Sequence, residues 1–372
     1  MAGPKQKVAL VCDWLTLVGG AEQVIKSVHE IYPDAPIYTS QYRPKKIDWF
    51  RDADVRTGWM NVLPAGLRRF IPMFRNLYFS HLDLVEYDLV ISITGAEAKA
   101  VRTRPDAIHI SYMHAPTQYY WSLYDQYIER PGFGFLNPLA RLVLKLLVGP
   151  LRKTDKKYSA RPNYVIANST YVADEIKKYY GRDSEVIFPP VKVDEFKGHD
   201  SNTKREGFVM AGRQAPWKRF DLAIEACKKA GDKLVVLGGG AEHDNLVKLA
   251  SGHENISFVP TYSGPAELKK YLYSAEGFFF TSIEPFGITP IEALASGTPV
   301  IALKKGGSLD FIRGGENGIF FEKQTVSSLM SAIEKFKKTK FDYCKVADSA
   351  EQFSEQNFKK NMKEFIEKCL KN

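Results

Sequence analysis

Ten short runs rich in apolar, β-branched and aromatic residues recur along this chain, and segments with apolar residues at helical spacing separate them. Five runs fall in the first half, at residues 7–14 (KVALVCDW), 35–40 (APIYTS), 87–95 (YDLVISITG), 109–116 (HISYMHAP) and 163–170 (NYVIANST). Five fall in the second, at residues 207–213 (GFVMAGR), 233–240 (KLVVLGGG), 256–262 (ISFVPTY), 276–283 (EGFFFTSI) and 298–303 (TPVIAL). Strands that alternate with helices form parallel sheets buried on both faces, so the expected class is α/β. Between the two sets, residues 193–206 (VDEFKGHDSNTKRE) are polar and charged, the composition of a linker. With 372 residues the chain exceeds one ordinary core. The expected organisation is an N-terminal Rossmann-like domain at residues 1–192, the linker, a C-terminal Rossmann-like domain at 207–350, and an amphipathic terminal helix at 351–372. Two such domains facing across a cleft would place ligands at the carboxyl ends of the strands.

The net charge of +9 calls for an anionic partner, which leaves nucleotides, lipid surfaces and nucleic acids as classes. The lysines and arginines are dispersed and form no recognisable nucleic-acid module, so no nucleic-acid partner is expected. The four cysteines, Cys12, Cys227, Cys344 and Cys369, lack CxxC or ligand spacing and read as free thiols in a reducing compartment. The first residues, MAGPKQKVALVCDW, contain no apolar stretch long enough for a secretory leader. Nor does any run of about 18 uncharged apolar residues span a bilayer. A cytoplasmic protein, soluble or peripheral on a membrane, is expected.

Four places carry chemistry. The stretch from Glu284, EPFGITPIEALASGTPVIA, puts Glu284 and Glu292 on either side of a Phe286-Gly287 turn. One reading makes Thr289 an N-cap, Pro290 the first helical residue and Glu292 its capping-box partner. The other makes the strand–turn–helix unit a phosphate site, with a carboxylate on each side for the hydroxyls of a nucleotide-sugar. Arg213 follows an apolar strand and Lys218 opens the next helix, an arrangement that can clamp a diphosphate; ordinary solvated helix charges are the alternative. Gly19 and Gly20 follow the first strand, where a ligand can approach the backbone or the chain simply turns. His114 ends the fourth strand, as a catalytic group or a structural one. Asp52 and Asp54 form a formal D-x-D, but arginines flank them and no apolar strand precedes them, so no metal site is expected.

Arg213 and Lys218, Glu284 and Glu292, Gly19-Gly20, His114, and the ANSTYVADEI and GTPVIA segments together resemble glycosyltransferase family 4. CDWLTLVGGAEQV, YMHAPTQYYW and EPFGITPIEA narrow the likeness to bacterial O-antigen and exopolysaccharide mannosyltransferases. The resemblance implies the GT-B fold, with the terminal helix returning to the N-terminal domain. It implies that Arg213 and Lys218 hold the donor diphosphate, Glu284 the sugar hydroxyls and Glu292 the ribose. Phe286, Gly287, Ile288 and Thr289 would line sugar and phosphate through backbone groups. His114 would stand by the reacting carbon, and Gly19 and Gly20 by the phosphates and acceptor. It implies a retaining, metal-independent hexosyltransferase with no cofactor. The expected donor is GDP-mannose and the acceptor lipid-linked or an oligosaccharide; a UDP-sugar donor, or a GT-B sugar-nucleotide epimerase, is the alternative.

Two aromatic or apolar stretches interleaved with basic residues lie in the half expected to bind acceptor: residues 57–79, with Arg68, Arg69, Phe70 and Arg75, and residues 139–157 (LARLVLKLLVGPLRKTDKK). They suit the surface of an anionic bilayer. Core-packing helices with solvated basic faces are the alternative.

Overall fold

The computed structural model describes residues 6–63, 71–129, 137–198 and 204–371. The chain divides into two compact units: one holds residues up to Pro190 together with Phe358–Asn372, the other Val191–Asn357.

The first unit is built on a seven-stranded sheet of β1 (Val8–Cys12), β2 (Ile37–Thr39), β3 (Val55–Thr57), β4 (Leu89–Thr94), β5 (Ile108–Met113), β6 (Tyr164–Ala167) and β7 (Glu185–Val186). Its order is β3-β2-β1-β4-β5-β6-β7, every neighbouring pair parallel. Strand β1 shows why its sequence is continuously apolar. Leu10 and Cys12 enter a core on one face, Ala9 and Val11 a core on the other. A strand that alternated polar and apolar residues would leave one of these cores incomplete.

The helix Glu355–Lys371 completes this unit. Phe358, Met362, Ile366 and Cys369 lie on one side of it and are buried in the core with Leu10, Ile91 and Ile110. Each buried side chain of this size contributes about 1.5–3 kcal/mol. The expected single helix from residue 351 instead starts as the separate turn Glu351–Phe353, whose Phe353 belongs to the aromatic core of the second unit.

The second unit has a six-stranded parallel sheet of β8 (Phe208–Ala211), β9 (Leu234–Leu237), β10 (Ile256–Val259), β11 (Gly277–Phe280), β12 (Val300–Leu303) and β13 (Gly318–Phe321), in the order β10-β9-β8-β11-β12-β13. Both units are Rossmann-like, and the α/β class is as expected. The sheets reverse direction of growth between β1 and β4 and between β8 and β11, the switch points at which such sheets bind ligands.

The residues expected as linker differ from that reading at both ends. Val193–Phe196 is a helical turn with Val193 and Phe196 fully buried in the second unit. Arg205 is anchored there too, donating to the carbonyls of Ala275 and Ser296 and to Thr298. The two apolar residues in an otherwise polar segment are what draw it in; residues 199–203 lie outside the described residues. Of the stretch 57–79, residues 64–70, with Arg68, Arg69 and Phe70, are likewise outside. In the remainder Tyr78 and Phe79 are buried, and Arg75 is buried in an ion pair with Glu97 at 2.7 Å, whereas Met73 and Leu77 are exposed, so this part is core on one side only.

Candidate nucleotide-sugar site

The clearest constellation is in the second unit, on both sides of the β8/β11 switch point. The loop after β8 carries Arg213 and ends in the single turn Pro216–Lys218. Thr281, following β11, donates from Oγ1 to the carbonyls of Lys218 at 2.8 Å and Arg219 at 3.0 Å, which ties that turn to the neighbouring strand. Lys218 Nζ then reaches Glu284 Oε1 at 2.6 Å, and Ser282 Oγ donates to the same oxygen at 2.5 Å. Arg213 stays exposed, its guanidinium 5.5 Å from the centre of the Trp217 ring. Two cations and one carboxylate thus stand at the carboxyl end of the sheet, and the carboxylate has exchangeable partners.

Glycines set the backbone around them. The turn Glu284–Phe286 rests on Gly306 and Gly307, which follow β12. Gly307 N donates to the Glu284 carbonyl at 2.9 Å. A side chain at Gly307 would come 2.4 Å from Phe286 Cα, and one at Gly306 would come 2.7 Å from the Glu284 carbonyl oxygen. Sequence reasoning passed over this pair; the signal was Gly-Gly two residues after an apolar strand.

The helix Ile288–Ala295 follows with Gly287 as its N-cap, at φ 134°, and no side chain caps it. This corrects the capping-box reading. Thr289 is the second helical residue rather than the cap, because only glycine adopts the backbone angle that turns the chain into the helix here. The N-terminal N–H groups of this helix, from Ile288 and Thr289 onward, carry the positive end of its dipole. Phe286 buries its ring against Phe311 and Phe353.

Glu292 lies one turn further. Burial pushes its carboxyl up to about 7, with Glu195 adding to the shift and Lys192 opposing it. Freed from the capping role, it is a carboxylate held at a cost. Tyr262, after β10, faces the same charge and is pushed up by burial and by Glu292.

In the first unit, Gly19 caps the helix Gly20–Ile31 in extended conformation, without a side-chain bond. A side chain at Gly19 would meet the Glu22 carboxylate at 3.0 Å. Glu22 is buried, and burial with Asp13 nearby pushes it up to about 7. His114 directly follows β5; its N–H donates to the Thr94 carbonyl at 2.8 Å and its ring meets Tyr112 edge-on at 5.5 Å. Burial lowers the imidazole to about 4, with Asp13 opposing, so it is neutral at pH 7. Its Nε2 is buried and has no hydrogen-bond partner among the described residues. Asp54 is paired with Arg56 at 2.7 Å beside the edge strand β3.

Residues 191–360 match the family model described as Glycosyl transferases group 1. The D-inositol 3-phosphate glycosyltransferase of Mycobacterium sp. (strain JLS) is 27% identical over 191 residues, covering 46% of this chain and 44% of the relative. The lipopolysaccharide core biosynthesis glycosyltransferase LpsE of Rhizobium meliloti (strain 1021) is 34% identical over 125 residues, covering 33% and 37%. The chain thus spans less than half the length of these relatives. The crystal structure of Anabaena Alr3699/HepE in complex with UDP matches with a TM-score of 0.68 at 18% identity, over 97% of this chain and 100% of that one. That likeness is one of fold, the GT-B fold of two Rossmann-like domains. The family match takes in less than half of the chain, and all but three of its residues lie in the second unit.

Proposed function

We propose that the protein is a retaining hexosyltransferase of family 4 type that uses a nucleotide-sugar, GDP-mannose in the leading reading, in the synthesis of a cell-surface polysaccharide. The observation that supports it best is the group Arg213, Lys218 and Glu284 across the β8/β11 switch point, beside the uncapped helix Ile288–Ala295. On donor binding, Lys218 and Arg213 take the diphosphate, and Glu284, released from Lys218, accepts hydroxyls of the sugar. The backbone N–H groups around Gly287, Ile288 and Thr289 meet phosphate and sugar, and Glu292 accepts the ribose hydroxyls.

In the transfer, the bond between the anomeric carbon and the phosphate oxygen breaks while the acceptor oxygen bonds that carbon from the same face. The acceptor's proton passes to the departing phosphate. The two cations neutralise the charge that grows on the nucleotide, the task a metal performs in other transferases. His114 stands by the sugar as a neutral hydrogen-bonding group, and the Gly19-Gly20 turn admits the acceptor. That acceptor is lipid-linked or a glycan, met at the cytoplasmic face of the plasma membrane; among the described residues no helix is long and apolar enough to cross a membrane.

Calorimetric titration with GDP and UDP tests the reading. Binding of GDP, weakened about tenfold in Lys218→Ala by loss of a charge-assisted contact, is the expected result. Tight UDP binding without GDP binding would move the donor to UDP-sugars and keep the transferase. Binding of neither would overturn both.

A further inference from the structure

The helix Asn137–Ser159 carries apolar residues on two sides. Its inner side presents Leu144, Leu147, Val148 and Leu151, partly buried, and the buried Asp155, which pairs with Lys99 at 2.8 Å. Leu139, Leu142, Val143 and Leu146 form a second stripe at i, i+3, i+4 and i+7, and they are 58%, 55%, 42% and 67% exposed. A helix that served only to pack the core would bury these four. Further along the same outward side, Lys153 lies two turns beyond Leu146 and Lys157 five turns beyond Leu139, with Lys156 next to it. All three lysines are exposed, and Asp155 is the helix's sole carboxylate. The outward face is therefore two turns of leucine and valine followed by turns of lysine, with no negative charge. The helix Ile71–His81, which packs on the same Ala98–Ala100 turn, also exposes Met73 and Leu77 at i and i+4.

We infer that the outward face of Asn137–Ser159 is a docking surface for an anionic lipid bilayer, with the apolar stripe in the acyl boundary and the lysines at the headgroups. This deepens the proposed function, since a lipid-linked acceptor resides in such a bilayer, and it rests on that reading for its purpose alone. The charge pattern selects the occupant. A second copy of the chain would bring lysines against lysines, whereas an anionic leaflet complements both parts of the face. The interfacial arrangement also explains why a water-exposed leucine stripe persists beside a sheet whose cores are already filled.

The test is co-sedimentation of the full chain with sucrose-loaded vesicles of phosphatidylcholine, with and without one quarter phosphatidylglycerol, at low and high salt. Sedimentation with the anionic vesicles that weakens with salt and is absent with pure phosphatidylcholine is expected. Leu142→Glu with Leu146→Glu should weaken it more than about tenfold, since two apolar side chains lose their burial. Lys153→Glu, Lys156→Glu and Lys157→Glu together should weaken it on the order of a hundredfold, at about fivefold per lysine. Melting curves and nucleotide titration on the same samples should match the unmodified protein, because every altered side chain is exposed. No sedimentation at low salt, or no change in the leucine variant, overturns the inference. So does a concentration-dependent dimer that the leucine variant abolishes without any vesicle binding. Failure of nucleotide titration in the unmodified protein would remove the functional reading and leave the surface standing.

Discussion

At the switch point of the first sheet, between β1 and β4, the carboxylate of Asp13 is consumed by structure. Thr94 Oγ1 donates to it at 3.0 and 3.1 Å, Gly95 N at 2.8 Å and Ala98 N at 2.8 Å. The equivalent place in the second sheet, between β8 and β11, holds Glu284, whose partners are a lysine and a serine side chain. Backbone donors do not move, and side chains do. One topology has therefore been used twice, once to lock two strand ends together and once to hold charges that a ligand can exchange. A carboxylate at a switch point is not a site by virtue of its position; its partners decide.

Four measurements would break or sharpen this contrast. Asp13→Ala leaves two backbone N–H groups and a threonine without acceptors in a buried place, and it should cost about 3–5 kcal/mol in a denaturation curve. Glu284→Ala removes a part-exposed ion pair and should shift the same curve by less than about 1 kcal/mol. Equal losses would erase the distinction.

Next, Lys218→Ala or Arg213→Ala should leave the melt nearly unchanged. Either should slow turnover on the order of a hundredfold, about 3 kcal/mol, by removing charge that meets the departing phosphate. Normal turnover in both would return these residues to the class of solvated charges.

Gly307→Ala comes third. The added methyl would stand 2.4 Å from Phe286 Cα, so the Glu284–Phe286 turn must shift. A loss of about 2 kcal/mol in stability with weaker nucleotide binding is expected, the usual scale of overpacking. A silent substitution would show that the turn is not held by close approach.

The smallest effect separates binding from stability at Glu292. Its folded value, raised from 4.5 to about 7, means that the native state holds the proton more tightly than the unfolded chain. The stabilisation from this group is complete below about pH 4.5 and is lost as pH rises through 7. Glu292→Gln should therefore melt like the unmodified protein near pH 4.5 and be more stable at pH 8, by on the order of 2 kcal/mol. The same variant should bind nucleoside diphosphate about 1–2 kcal/mol more weakly at pH 8. A gain in stability without loss of binding would leave Glu292 with no role in the ribose site.

The strands that could be read in advance are those buried on both faces. Leu10, Val11, Ile91, Phe279 and Ile301 sit in unbroken apolar runs because both sides of each sheet are covered by helices. The strands that escaped, β3, β7 and β13, end their sheets; β3 and β7 are three and two residues long and little buried, whereas β13 is buried but only four residues long, too short a run to show a period. The start of the helix Ile288–Ala295 escaped for another reason. A serine, threonine or aspartate cap leaves a signature, whereas Gly287 acts through a positive φ that no neighbour announces.

The chemical alphabet of the candidate site was also visible from local order: a cation after β8, another at the following turn, and carboxylates beside a glycine turn after β11. By itself the sequence determined the alternation of buried strands and helices, and with it the class of fold and the ends of strands where charges collect. Only the tertiary structure decided that Lys218 and Glu284 meet, because strand order sets β8 against β11 across a separation of 66 residues. It also decided that Glu292 caps nothing and that Leu142 and Leu146 face outward. Burial and pairing belong to the packed molecule, and a local pattern that suits either side of a helix cannot say which side the core will take.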